Sequence, residues 1–198
     1  MRYFLAPLLL LTLVGCSTQP LHSTVKSWLD PVSLATITAQ TDPLIVVRQE
    51  SRRTTKGRDY AQLAAVEVNR MGDRRLYLLA VLWSNAQLTS DKWQTFENSF
   101  SQVELSVDDH SVVLTRHSGD VAALGIGQSP LPLSIPGTRH IYFPIERADL
   151  RALAESSSVQ LTALGRADAP QIYEERKDGR PSLSQFLSQL PSDSANVR

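Results

Sequence analysis

The stretch that decides the fold is YAQLAAVEVNRMGDRRLYLLAVLW, residues 60–83. Within its first ten positions Ala64, Val66 and Val68 alternate with Glu67 and Asn69. RMGD follows at 70–73, and an apolar run fills 76–83. Two such runs joined by a Gly-containing break predict a β-hairpin. In the second run one face carries Leu76, Leu78, Ala80 and Leu82, and the other carries Tyr77, Leu79, Val81 and Trp83. We therefore expect a central strand covered on both sides. A helix is the alternative, because Leu and Ala are weak evidence for a strand.

Short alternating runs elsewhere predict further antiparallel strands. They lie near residues 34–38, 44–47, 103–107, 112–114, 141–145, 159–163 and 172–174, with a turn at 108–111. Apolar residues at helical spacing predict helices at 146–155 and 180–190, and Trp93, Phe96 and Phe100 predict one or two helical turns. Residues 121–136, rich in Gly and Pro, predict a long irregular loop. The expected fold class is α+β, a mostly antiparallel β-sheet body with two short peripheral helices, forming one domain over residues 28–190.

Composition excludes several classes of protein. The chain has 198 residues, of which 42% are apolar and 20% charged, which is ordinary for a globular protein and excludes wholesale disorder. Its 20 basic residues balance its 20 acidic ones. The overall charge therefore gives no support to a nucleic-acid partner.

The N-terminus has the pattern of an export signal. Arg2 is the only charged residue in 1–15, and residues 4–14 are apolar apart from Pro7 and Thr12. A transmembrane helix needs roughly 20 apolar residues, so this run is too short to span a bilayer. We expect residues 1–15 to be a signal peptide, and cleavage by the ordinary signal peptidase is one interpretation.

The residues LVGC at 13–16 resemble the lipobox of bacterial lipoproteins. The resemblance implies that Cys16 is acylated and becomes the first mature residue, which anchors the chain in a membrane. Ser17 resembles the sorting signal for the outer membrane, so the body would face the periplasm. Residues 16–27 would then be the lipidated cysteine and its tether, and residues 191–198 a flexible polar tail. Cys16 is the chain's only cysteine, so no intramolecular disulfide can form.

Parts of the body also resemble a known group of proteins. Residues 28–31, 59–60, 66–72 and 77–83 are similar to segments of uncharacterised proteobacterial lipoproteins. No activity is assigned to that family, so the resemblance implies no catalytic residue.

Motifs for catalysis and metal binding are missing from the sequence. The histidines, at 22, 110, 117 and 140, form no pair with metal-ligand spacing, so we predict no metal site. A carboxylate–imidazole cluster of His110, His117, Asp108 and Asp109 is an alternative to simple solvation of these groups. There is no Gly-x-Ser-x-Gly, and the glycines at 125 and 127 lack the third glycine of a dinucleotide site. We predict that the protein is not an enzyme and that it has neither a cofactor nor a catalytic residue.

Two charged segments have simple interpretations. Residues 51–58 contain four cations and could contact lipid headgroups, although a solvated loop is the preferred interpretation. Glu174 and Glu175 are adjacent, so on a strand they point to opposite faces and cannot converge on one substrate atom. We expect them to be charges on an edge strand.

Three hypotheses for function follow. The first is a non-enzymatic envelope module, anchored in the outer membrane, whose sheet edge or loops contact another envelope protein. The alternative is an anchored binding protein for a small envelope ligand such as a lipid, glycan or peptidoglycan fragment. Trp83, Trp93 and Phe96 would then line its pocket beneath residues 121–136. The third is an enzyme whose site is assembled from distant residues.

Overall fold

The computed structural model describes residues 24–48, 57–131, 135, 137–165 and 170–191. The elements in chain order are β1 Val25–Leu29, β2 Thr36–Gln40, β3 Leu44–Arg48, β4 Asp59–Arg70, β5 Asp73–Ser84, α1 Ser90–Ser99, β6 Gln102–Val107, β7 His110–Thr115, α2 Val121–Leu124, β8 Arg139–Pro144, α3 Arg147–Glu155, β9 Val159–Ala163, β10 Gln171–Lys177 and α4 Arg180–Gln189. The signal peptide, Cys16, Ser17, residues 51–56 of the basic segment and residues 192–198 of the tail lie outside the described residues.

The predicted hairpin is the longest feature of the sheet. β4 and β5 have 12 residues each and pair without interruption from Asp59↔Ser84 to Arg70↔Asp73. The two residues of the turn have positive φ, 50° at Met71 and 97° at Gly72. Positive φ at both central positions is what a tight hairpin turn needs to match the twist of its strands. The predicted hairpin is confirmed. The prediction that its second strand is central and covered on both faces is confirmed as well.

One edge of β4 is shared by two strands. β3 pairs with its first half, up to Leu44↔Leu63, and β2 pairs with its second half, from Ala39↔Val66. Gln40 fills the gap between them, because its Oε1 accepts a hydrogen bond from the N–H of Ala65 at 3.1 Å. Its Nε2 donates to the carbonyls of Asp42, at 2.8 Å, and Gly179, at 2.9 Å. The buried Gln40 amide thus replaces the missing rung of the ladder.

The sheet curls into a half-barrel. Eight strands follow one another in the order β8-β5-β4-β3-β10-β9-β6-β7, and β2 and β1 branch from β4. All of these pairs are antiparallel. β10 pairs with β3 on one side and β9 on the other, so the expectation that Glu174 and Glu175 lie on an edge strand is wrong.

Two apolar clusters lie on opposite faces of the hairpin. The inner cluster fills the curl, and its largest fully buried side chains include Phe100, Phe143, Tyr173 and Phe186. The outer cluster contains Val66, Leu79, Tyr142 and their neighbours, together with Leu124, Ile126 and Leu131. The Gly- and Pro-rich segment therefore packs directly against the outer face. Each face of β4 and β5 belongs to one of the clusters, which explains the apolar runs.

The predicted, mostly antiparallel β-sheet body is confirmed, but the prediction of two helices was too low. The described residues contain four helices, of which α3 and α4 match the two predicted peripheral helices. α1 holds Trp93 and Phe96, and Phe100 caps its C-terminus, with Phe96 and Phe100 buried in the inner cluster. α2 is a single turn at the start of the segment expected to be irregular. A helix this short carries too little apolar periodicity to show in the sequence.

Two boundaries differ from the prediction. Residues 25–27, assigned to the tether, form the first part of β1 and pair with residues 38–40 of β2. The turn predicted at 108–111 is tighter, because Val107 pairs with His110 and leaves only Asp108 and Asp109 unpaired. Thr24 adds a hydrogen bond to the Gln185 side chain, so the chain is already tied to α4 before β1 begins.

We predict that Gln40→Met destabilises the fold. The thioether has nearly the length of the amide but cannot make its three hydrogen bonds, and each buried partner left unsatisfied is costly. We expect the free energy of unfolding to fall by about 2–4 kcal/mol in denaturant titration. Gln62→Met, the same change at a half-buried position of β4, is the control and should cost much less. Equal losses at the two positions would contradict the role given to Gln40.

Candidate functional site

The candidate site is the open seam of the half-barrel, between β7 and β8. Among the described residues, β7 pairs with β6 and β8 pairs with β5, and their other edges face each other. One backbone hydrogen bond joins them at one end, from the N–H of His117 to the carbonyl of Tyr142, at 2.8 Å. Beyond that bond the two edges separate, and the backbone groups of β7 face the gap.

The register of the β6–β7 hairpin shows which groups of β7 face the seam. A two-residue loop is closed by a hydrogen-bonded pair, here Val107↔His110, and such pairs then alternate along the strands. The N–H and C=O groups of Ser111, Val113 and Thr115 therefore point away from β6. The outward hydrogen bond of His117 fits the same alternation. β7 thus presents three residues with outward backbone groups to the seam.

Pro144 explains why the seam stays open. Continuing the antiparallel register from His117 and Tyr142 by two residues places Thr115 opposite Pro144. Proline has no N–H, so it cannot donate the next hydrogen bond of a ladder. The chain then turns into α3, which begins at Arg147. β8 consequently stops pairing where β7 continues.

The seam opens into a groove of about 670 Å³. Apolar and polar side chains of β5, β7, β8 and α3 line it, among them Tyr77, Val113, Ile145, Arg75 and Asp149. Arg74, Arg75 and Arg147 line it together with Glu146 and Asp149, so both signs of charge are present. Val113 is 52% exposed although it is a large apolar residue of a strand.

Asp108 fixes the tip of the β6–β7 hairpin. Its carboxylate accepts hydrogen bonds from the N–H and hydroxyl groups of both Ser157 and Ser158, at 2.7–3.1 Å. These bonds, with Ser157 foremost, lower the pKa of Asp108 to about 2. They tie the hairpin to the turn between α3 and β9, and so hold β7 at a fixed distance from α3.

Two more contacts hold α3 in place beside the seam. His110, the first residue of β7, lies with Nε2 3.1 Å from Oδ1 of Asp149 on α3. The guanidinium of Arg147 donates to the carbonyls of Leu187, at 3.3 Å, and Pro191. A cation beside the last carbonyls of α4 is favourable, because the end of a helix is partially negative. The groove therefore has ordered walls on both sides.

The structure does not bring Trp83, Trp93 and Phe96 together as one pocket. Trp83 lies two residues beyond Val81, on the outer face of β5, and stacks on Tyr60 with ring centroids 3.9 Å apart. Trp93 and Phe96 belong to the inner face, with centroids 5.6 Å apart. The sheet thus separates Trp83 from the other two. Phe96 does border a cleft of about 230 Å³ with Arg48, Asp59 and Lys92, which shares no lining residue with the groove at the seam.

The carboxylate–imidazole cluster that was the alternative to simple solvation does not form. His110 contacts Asp149 rather than Asp108 or Asp109, and the His117 ring makes an edge contact with Tyr77 at 6.3 Å. Within the described residues no three carboxylate, His or Cys side chains group as metal ligands. Burial lowers the pKa of His140, whose Nε2 lies on the outer face of the sheet.

The sequence pattern predicts the strand β7, but it does not predict that one edge of this strand is open. The signal was present in HSVVLT, residues 110–115, which contains neither Lys nor Pro. Edge strands are normally protected from further pairing by such residues. Only the topology shows that this strand lacks a neighbour.

Comparisons with known proteins give no match to a family model, a characterised protein or a solved structure. Among the helices described, none has the length and apolar character needed to cross a membrane.

We predict that Asp108→Asn destabilises the protein in a pH-dependent way. The folded state lowers the pKa of Asp108 to about 2. The ionised carboxylate therefore stabilises the fold fully above its unfolded pKa of roughly 3.9, and this stabilisation is lost as pH falls through about 2. Asn tolerates the positive φ of 49° at this position. The variant should melt below wild type at pH 7, and the difference should shrink between pH 4 and pH 2. Asp109→Asn is the control, and a pH-independent difference would contradict the assignment.

Proposed function

We propose that the chain is an outer-membrane lipoprotein, anchored through acylated Cys16, that binds an extended segment of another envelope protein. The body is a non-enzymatic interaction module, and the segment adds to the free edge of β7 within the seam. The lipobox resemblance of residues 13–16 supports the anchor. The open edge of β7 supports the binding mode, and it is the observation that carries the proposal.

Strand addition fits the chemistry of this edge. An added strand gains affinity from main-chain hydrogen bonds, which Ser111, Val113 and Thr115 can supply from their outward groups. Alternating side chains of the segment would meet the groove beside β7 and give specificity. The apolar groups Val113 and Ile145 there favour apolar side chains at the alternate positions that face the groove.

The anchor is tested by mass spectrometry and by replacing Cys16. The purified protein should carry the mass of its acyl chains on Cys16, and Cys16→Ala should abolish both that mass and membrane retention. If binding requires the anchor to concentrate the module at the membrane, partner capture in the native host should fall as well. Full function of an untethered periplasmic form would contradict the need for the anchor.

We predict that Val113→Pro abolishes partner binding while the fold persists. Proline removes the outward N–H of residue 113 but none of the hydrogen bonds between β7 and β6, and proline is tolerated at an exposed edge. Val113→Thr is the matched control, because it keeps the N–H and nearly the same shape.

Both variants are cross-linked in envelopes of the native host and compared with wild type. We expect capture of a stoichiometric partner to fall at least about tenfold with Val113→Pro and to persist with Val113→Thr. Circular dichroism melting confirms that each variant is folded. Equal capture by the two variants would exclude strand addition to β7.

A small envelope ligand is the second candidate function. The groove of about 670 Å³ falls in the usual range for small-molecule sites, roughly 300–1,000 Å³. A lipid, glycan or peptidoglycan fragment that binds only the folded state should raise the melting temperature. Tyr77→Phe and Arg75→Gln, which alter the groove but not the β7 backbone, should reduce that rise. No shift with any of these ligands would count against this function.

A further inference from the structure

Four large apolar side chains are exposed at one end of the sheet, and we call them the end patch. Leu29 is 62% exposed, Val32 81%, Leu34 71% and Met71 fully exposed. Leu29 ends β1, Val32 and Leu34 lie in the turn to β2, and Met71 lies in the turn between β4 and β5. Single exposed apolar residues are ordinary, but a contiguous group of them marks a contact surface.

The strand register places these residues side by side. Leu29 pairs with Thr36 of β2, and Thr36 pairs with Asn69 of β4. Continued by two residues, the β2–β4 register sets Leu34 opposite Met71. Neighbouring strands are about 4.8 Å apart, so the two turns form one surface.

The turn that carries Val32 and Leu34 is held in place. The buried Asp30 carboxylate accepts hydrogen bonds from the N–H of Val32 at 3.0 Å, Ser33 at 2.9 Å and Gly127 at 2.7 Å. The first two bonds close the turn on itself, and the third joins it to the segment covering the outer face. The apolar side chains are therefore displayed outward by an ordered turn and do not fold back onto the core.

Positive charge borders the end patch. Arg70, Arg74 and Arg75 are exposed in or beside the turn that carries Met71. Of the carboxylates nearby, Asp30 and Glu67 are buried and Asp73 is exposed, so positive charge exceeds negative charge at the surface here. Arg74 binds Glu67 at 3.4 Å and Arg75 binds Asp73 at 2.9 Å. Arginine side chains beside apolar tips are suited to lipid phosphates, because the stem lies along apolar surface and the guanidinium stays in the headgroup layer.

We propose that the end patch inserts into the headgroup layer of an anionic bilayer, so that the body lies on the membrane surface. This inference rests on the anchorage at Cys16 in the proposed function. Eight residues separate Cys16 from Val25, which extended span at most about 30 Å, and β1 is only about 17 Å long. A membrane that holds Cys16 is therefore within reach of Leu29 and the turns beside it.

The shape of the end patch favours a bilayer over a protein. Its side chains project from two turns, and a fluid surface can close around each of them. Burial of one Leu-sized side chain in hydrocarbon strengthens association by roughly tenfold. A second copy of the chain would instead bury the patch in a dimer, and the experiment separates these two occupants.

The test measures the membrane depth of residue 71 in the full acylated protein. Because Cys16 is the only native cysteine, acylation leaves the thiol of Met71→Cys free for one environment-sensitive fluorophore. The protein is reconstituted into vesicles of phosphatidylethanolamine and phosphatidylglycerol with spin-labelled quencher lipids. Glu174→Cys, at an exposed position of β10, carries the same fluorophore as the control.

We expect quenching and a blue shift at position 71 and neither at position 174. Adding Leu29→Ser, Val32→Ser and Leu34→Ser should abolish the quenching at 71, and vesicles of phosphatidylcholine alone should weaken it. No quenching at 71, or equal quenching at both positions, would overturn the inference. A blue shift without quenching that grows with protein concentration would also overturn it, in favour of self-association.

The anchor is checked separately by the mass of the purified chain. A chain without acyl groups overturns the proposed anchorage. The same quenching measurement is then made on its Cys16→Ser form, where quenching at 71 would support the end patch by itself and no quenching would overturn it.

Discussion

The division of one edge of β4 between β2 and β3 is the constraint on which the rest of the fold depends. β4 is long enough for two five-residue strands to pair with it in succession, and Gln40 supplies the hydrogen bond where neither does. β3 leads into the curl through β10, and β2 leads away from it to β1. The side-chain amide also bonds to Gly179, so the branch is joined to the start of α4, which packs against α3. Sheet branching and helix placement are thus set at one buried residue.

The alternation in the sequence was sufficient to predict most strands, the central hairpin and the antiparallel character of the sheet. Period two is a local property, and the tight turns leave little freedom in register. Helices α3 and α4 were equally visible from Leu150, Leu153, Leu183 and Phe186, which recur at helical spacing. α2 was not, because four residues make too short a periodic signal. β1 was missed because only Val25 of its first four residues is buried.

The site could not be predicted in the same way, because it depends on which strands become neighbours. The sequence shows that residues 103–114 form a hairpin, but no local pattern shows that β7 has a free edge. The grouping of Trp83 with Trp93 and Phe96 failed for a related reason. Trp83 is on the outer face because it follows Leu82, which faces inward, and successive side chains of a strand point to opposite faces. Helix α1 carries the other two aromatic residues to the inner face. A charge pattern can be read locally, whereas the convergence of Arg75, Val113 and Asp149 requires the whole topology.

The burial of both faces of the central hairpin also limits how the sequence can change over time. Ala61, Ala64, Ala65 and Ala80 have no exposed surface, so a larger side chain at any of them has no space on either side of the sheet. A one-residue insertion would exchange the two faces and displace Ala65 from Gln40. The loop at residues 85–89, none of which is buried, can accept changes in length that these two strands cannot. Diverged relatives of this chain should therefore be most recognisable by the pattern of small and large residues in 59–84, even where the rest of the alignment is lost.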